Sequence, residues 1–214
     1  MTKEERKANK ELDKLLNTSI RMVCKKYHFK SIMGTSYVVK DDFLYELIII
    51  SNGKGNGVIA HLSTKPLIID DIFWKAFGLW EEAEKMPFSF HVNAVFVPHA
   101  FLLSERMYPI EKKDNIEKTL NELFDYFEKK ITSYSKEMSI IKYMDILTDD
   151  DHHTILNLIL CNIALGDYSK AIEISEREIA LRHPGPFMSK NGDIFHLIVE
   201  YCKENQFKTE SVKT

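Results

Sequence analysis

The chain has 214 residues, 44% hydrophobic and 29% charged, enough for one large or two small folded domains. It sets 32 acids against 29 bases, a net charge of −3, which argues against a general nucleic-acid binder. Charge is uneven: residues 1–40 hold ten Lys/Arg against four acids, and the remainder 19 against 28. A basic first helix can touch phosphate or an acidic partner, though such faces are usually only solvated. Lysine outnumbers arginine 24 to 5, a bias away from bidentate phosphate and guanine contacts. Cys24, Cys161 and Cys202 are odd in number and far apart, and read as reduced core residues. The start, MTKEERKANKELDK, lacks the apolar stretch of a secretory signal. The apolar runs near Leu47–Ile50 and Leu156–Leu165 are too short or interrupted to span a bilayer, so the expected compartment is the cytoplasm.

In chain order, Leu12, Leu15, Leu16, Ile20, Val23 and Tyr27 recur at three- and four-residue spacing, predicting an amphipathic helix over residues 4–27. Thr35–Lys40 reads as a short strand, and Asp41-Asp42 as a turn. Phe43–Ser63 reads as a β-hairpin and is the organising element. Its first arm is nearly all apolar with three successive isoleucines, and its turn SNGKGNG tolerates positive φ. Pro66 ends the second arm, and a helix follows over about 69–79 with Asp70 or Asp71 capping its first turn.

From Phe88 to Phe96 the alternation of apolar and polar residues predicts a half-buried strand. Val97–Ile110, bounded by Pro98 and Pro109, reads equally as helix or strand. From Asp114 the pattern is helical to the end. Asp114 and Glu117 have capping-box spacing ahead of the stripe Ile116, Leu120, Leu123, Phe124, Phe127 and Ile131. Ser135 is placed to cap a helix burying Ile140, Ile141, Met144 and Leu147, and Asp149–Asp151 to cap one from His152 to Leu165. Gly166-Asp167 then turns into Tyr168–Arg182, His183-Pro184-Gly185-Pro186 stops it, and a last helix covers about 192–204.

This order, with YHFK closing the first helix, GTSY before the hairpin and DYFEKKI closing a later helix, resembles an uncharacterised bacterial family. That family is catalogued as domain of unknown function 4304. The resemblance covers about Leu12–Ile131 and implies an α+β fold, with no known activity, cofactor or catalytic residue. Leu158, Ala164, Gly166, Asp167, Tyr168 and Ala171 look like one tetratricopeptide-type helix hairpin. Ile159 and Glu178 stand where small residues are expected and Pro184 falls one place late, so a single local hairpin is read rather than an array.

Three stretches invite chemistry. The turn SNGKGNG sets Lys54 between Gly53 and Gly55, but lacks the other residues of a phosphate loop and joins strand to strand. In the run Asp149–His153 neighbouring side chains diverge and no HxxxH or HExxH spacing exists, so acids serving the helix dipole explain it better than a metal. The third is the polar side of the sheet, where Glu46, His61, His91 and Asn93 are candidates for acid–base work or ligand binding. Whether Glu46 and His61 meet depends on hairpin register. Pairing Ile50 with Val58 puts them on opposite faces, and pairing Ile50 with Ile59 puts them on one. Hydrophobic matching favours the second, which gathers Val58, Ala60 and Leu62 with Tyr45, Leu47 and Ile49.

The expected fold is α+β, an antiparallel sheet of about four strands with packed helices over residues 1–132. A helical segment over 133–208 and a frayed tail at 209–214 complete it. The expected role is that of a cytoplasmic bacterial protein-interaction or regulatory module, such as an immunity-like protein that neutralises a toxin. Its partner is then another protein, with no cofactor, metal, membrane or nucleic acid expected. The alternative is an enzyme or small-ligand binder built on Glu46, His61 and His91.

Overall fold

The computed structural model describes residues 2–52, 57–110, 115–148 and 151–211. In chain order the elements are α1 (Lys3–Lys26), β1 (Lys30–Ile32), β2 (Thr35–Lys40), β3 (Phe43–Ser51), β4 (Gly57–Pro66), α2 (Ile68–Phe77), α3 (Trp80–Ala83) and α4 (Phe90–Asn93). Then come β5 (Phe101–Pro109), α5 (Ile116–Ser135), α6 (Ile140–Ile146), α7 (His152–Ala164), α8 (Tyr168–Ala180), β6 (Met188–Ser189), β7 (Gly192–Asp193) and α9 (Ile194–Ser211). They divide into two compact units, Met1–Lys65 with Ala100–Glu137, and Pro66–His99 with Met138–Thr214. The second takes Pro66–His99, which the sequence pattern groups with the sheet.

The first unit is an antiparallel sheet in the order β1-β2-β3-β4-β5, packed with α1 and α5. Two-residue turns join its first three strands: Met33-Gly34 and Asp41-Asp42 all have positive φ, the conformation whose twist suits a hairpin. β2 and β3 pair from Thr35↔Ile48 to Lys40↔Phe43. β4 and β5 pair from Gly57↔Pro109 to Thr64↔Phe101, with a bulge at Leu62/Ser63. Tyr45, Leu47 and Ile49 are buried, as are Val58, Ala60 and Leu62, whereas Ile50 is exposed and Ile48, Ile59 and His61 are half-buried. That alternation is what two strands with one dry face produce.

α1 lays Leu12, Leu16, Ile20 and Val23 into the core, and its Cys24 Sγ lies 3.0 Å from Ser36 Oγ of β2. α5 buries the stripe Ile116, Leu120, Leu123, Phe124, Phe127 and Ile131, each side chain contributing about 1.5–3 kcal/mol. Phe124 packs against Tyr27 and Phe29, and the Arg106 guanidinium of β5 lies 4.2 Å from the Tyr126 ring centre.

In the second unit α2 packs on α7 and α9, α7 on α8, and α8 on α9. α7 is buried nearly all round, including Leu156, Ile159, Leu160 and Cys161, which explains its continuous apolar run. Gly166, at φ 80°, turns it into α8, where Ala171 and Ser175 are fully buried and permit close approach. Phe187 fills the space beside Phe73, Phe77 and His153.

Several expectations are corrected. The sheet has five strands rather than about four: β1 is added, and the late strand is Phe101–Pro109 instead of Phe88–Phe96. Residues 88–96 hold α4 and bends, and Phe88 and His91, three apart, bring their rings together at 4.8 Å as one helical face does. The Phe96 carbonyl accepts from Trp74 Nε1 at 2.9 Å, taking it out of any ladder. Asp70 does not cap α2. Ser135 ends α5, and Ser139 caps α6 by accepting from Lys142 N at 3.2 Å. Of α6 only Tyr143 is buried, while Ile141 is 61% exposed. Leu15 is 41% exposed and Cys24 takes its place in the α1 stripe. The last helix starts at Ile194, after the small β6–β7 hairpin, and runs to Ser211. The turn at 53–56, Asp114, and Asp149-Asp150 lie outside the described residues. No helix among the described residues is long and apolar enough to cross a membrane.

Candidate functional site

The four sequence-predicted side chains are placed by different elements. Glu46 sits mid-strand in β3 opposite Tyr37 of β2, and both are buried. His61 in β4 faces Glu105 of β5, with Nε2 2.9 Å from Glu105 Oε2 at an open surface. His91 belongs to the other compact unit, on α4, and Asn93 is the last residue of that helix. Each histidine therefore has its own carboxylate, His61 with Glu105 and His91 with Asp70.

The His91 pair is the more constructed of the two. Asp70 lies in the first turn of α2, and its side chain has no exposure at all. Its Oδ2 is 2.8 Å from His91 Nδ1. The imidazole is held between Trp74, at 4.9 Å, and Phe88, at 4.8 Å. A buried carboxylate on Nδ1 selects the tautomer with its proton there, leaving Nε2 as an acceptor. No hydrogen bond occupies Nε2 among the described residues. Burial pushes the neighbouring Asp71 carboxyl up; the His91 and Lys75 charges oppose that shift and the Asp70 charge adds to it. Such an imidazole can accept a proton or hold a polar ligand atom.

Sequence reasoning missed Asp70 and Glu105 as partners. Asp70 carried a usable signal: with Phe73, Trp74 and Phe77 it falls at i, i+3, i+4 and i+7, inside the apolar stripe rather than outside it. An acid in that position needs a buried partner. Glu105 carried none, because β5 itself was ambiguous.

Other polar clusters in the second unit are structural. Asp151 caps α7, its Oδ1 accepting from His153 N at 2.8 Å and Thr154 N at 3.2 Å. His153 stacks on His99 at 3.7 Å and 11°. Glu178, buried in α8, receives Arg177 Nη2 at 2.8 Å and His183 Nδ1 at 3.0 Å. Burial pushes its carboxyl up, but these two partners outweigh that and hold it below the usual range. Among the described residues no group of three His, Cys, Asp or Glu side chains is placed to hold a metal. Cys24, Cys161 and Cys202 are free and buried, and burial raises the last two thiols to about 12.

No protein-family model matches the chain, and no curated protein or solved structure matches it either.

Proposed function

We propose that this chain is a non-catalytic protein-interaction or regulatory module of the bacterial cytoplasm, docking its partner along the edge strand β5. The observation that carries this is the open edge. β5 is nine residues long and ends the sheet, paired with β4 alone. Among the described residues no other backbone segment bonds to it. Edge strands expose a row of unpaired N–H and C=O groups, and an extended segment of another protein can add to them. Leu102 and Met107 are exposed at 46% and 63%, supplying apolar contacts along that edge. The bulge in β5 at Leu103 and Pro109 at its end leave about 104–108 as the regular pairing length, with Leu102 flanking it. Exposed apolar residues near the C-terminal helices argue less for docking, since Leu165 and Leu181 fall at opposite ends of the α7–α8 hairpin.

Affinity purification with cross-linking, comparing the native chain with the Leu102→Lys/Met107→Lys variant, tests this. The variant keeps its circular dichroism and loses a partner that the native chain retains. A partner held equally by both, or by neither, sinks the edge reading.

The Asp70–His91 pair supports a second reading, a small-ligand or acid–base site at Nε2. Under it, a ligand screen followed by the His91 ring signals in NMR finds compounds that shift Nε2, and His91→Gln abolishes that binding. A screen in which no compound moves those signals removes it.

A further inference from the structure

A cavity of about 530 Å³ lies in the first unit between the C-terminal half of α1 and the β1–β2 hairpin. Its size falls within the ~300–1,000 Å³ of small-molecule sites. The floor is apolar, formed by Ile20, Cys24 and Phe29, all buried. Phe29 is fixed edge-on against Phe124 at 5.3 Å, and its N–H donates to the Cys24 carbonyl at 2.9 Å, so the floor is preorganised.

The rim is cationic. Arg21 and Lys25 stand one helical turn apart on α1 and so share a face, and Lys30 comes from β1. No Asp or Glu lines the cavity. None of the three cations has a salt bridge among the described residues. Burial keeps the Cys24 thiol raised and therefore neutral, so the floor does not repel an anion.

Two methionines complete the walls. Met22 is 56% exposed and Met33 88% exposed. Met33 sits in the hairpin turn at φ 45°, a position that favours Asn, Asp or Gly. A long, flexible apolar side chain held in water at the cavity edge is placed to fold over a bound apolar body.

We propose that this cavity binds a small, monomeric amphiphilic anion, with its carboxylate or phosphate-ester head against Arg21, Lys25 and Lys30. Its apolar body lies on Ile20 and Phe29 and is closed over by Met22 and Met33. Phe29 is the single aromatic residue lining the cavity, which therefore lacks the row of aromatic platforms on which a nucleic-acid strand stacks its bases. This site is separate from the β5 edge and stands whether or not that edge docks a protein.

The test uses the full chain labelled with 13C at its methionine methyls, with the Met22 and Met33 signals assigned by Met→Leu variants. Octanoate, octanol and acetate are titrated in parallel. Octanoate should shift both methyl signals saturably, at least tenfold more tightly than octanol, with acetate inert. The Arg21→Gln/Lys25→Gln/Lys30→Gln variant changes only exposed side chains, and should weaken octanoate about tenfold or more while leaving octanol unchanged. Equal binding of octanol, an unaffected triple variant, shifts confined to other methionines, or no octanoate binding each overturns the proposal. So does binding to phosphatidylcholine–phosphatidylglycerol vesicles without binding to monomeric octanoate.

Discussion

Two histidine–carboxylate pairs, one from each compact unit, differ in nearly everything but chemistry. His61–Glu105 spans neighbouring strands with side chains 30% and 59% exposed. His91–Asp70 joins two helices with side chains 18% and 0% exposed, its ring walled by Trp74 and Phe88. Water screens the first pair, so it is worth little. The second withholds water from Asp70, so losing the imidazole leaves a buried charge without that partner. Burial, not the identity of the residues, separates an ornament of the surface from a built arrangement.

The units also differ in what holds them, and the largest effects should fall on their apolar cores. Phe124→Ala removes a fully buried ring that touches Tyr27 and Phe29 in the first unit, and Leu160→Ala a fully buried side chain of α7 in the second. Each should cost about 2–5 kcal/mol by urea denaturation. If the units unfold independently, hydrogen exchange will show each loss confined to its own unit; a uniform loss of protection would show one cooperative block. Next comes Asp70→Ala, expected to cost about 1–3 kcal/mol and to loosen the Trp74 environment, read by fluorescence. A loss below about 0.5 kcal/mol would mean that Asp70 is not supported by His91.

These contrasts also mark what the sequence could say. Regular elements were legible where periodicity matched burial: the α5 stripe from Ile116 to Ile131 is buried residue for residue. The alternation over 88–96 misled because Phe88 and His91 also fit one helical face, and nine residues do not separate period two from period 3.6. β5 escaped because its exposure follows no alternation, as expected of an edge. The candidate site was half legible: the sequence singles out His91, but as part of the polar face of a strand, whereas it lies on a helix, and its partner comes from a helix twenty-one residues earlier, a pairing set by packing alone.

A smaller effect should come from pH, and it belongs to the second unit. Burial lowers the His153 imidazole; Asp151 opposes that and His152 adds to it, with His99 stacked on its face. A histidine whose folded value lies below the unfolded one binds fewer protons when folded. Stability is then full above the unfolded value, near 6.5, and falls as pH drops from there toward the folded value. His153→Phe should flatten the stability profile below about pH 6.5 in urea titrations, and an unchanged slope would assign it to other groups. Glu178 acts in a lower window. Its depressed carboxyl stabilises above the ordinary carboxylate range, and that contribution is lost as pH falls through its folded value.

The smallest effect is the sharpest check on the opening contrast. Breaking His61–Glu105 with Glu105→Gln leaves a neutral hydrogen-bonding side chain on an exposed strand position. Exposed ion pairs contribute about 0–1 kcal/mol, because holding two mobile side chains together offsets most of the attraction. The expected cost is therefore below about 0.5 kcal/mol, and added salt should shrink it further. A double-mutant cycle with His61→Gln reads the pair alone, free of changes to each strand's own preference. A coupling above about 1.5 kcal/mol would place this pair with Asp70–His91 and end the distinction by burial.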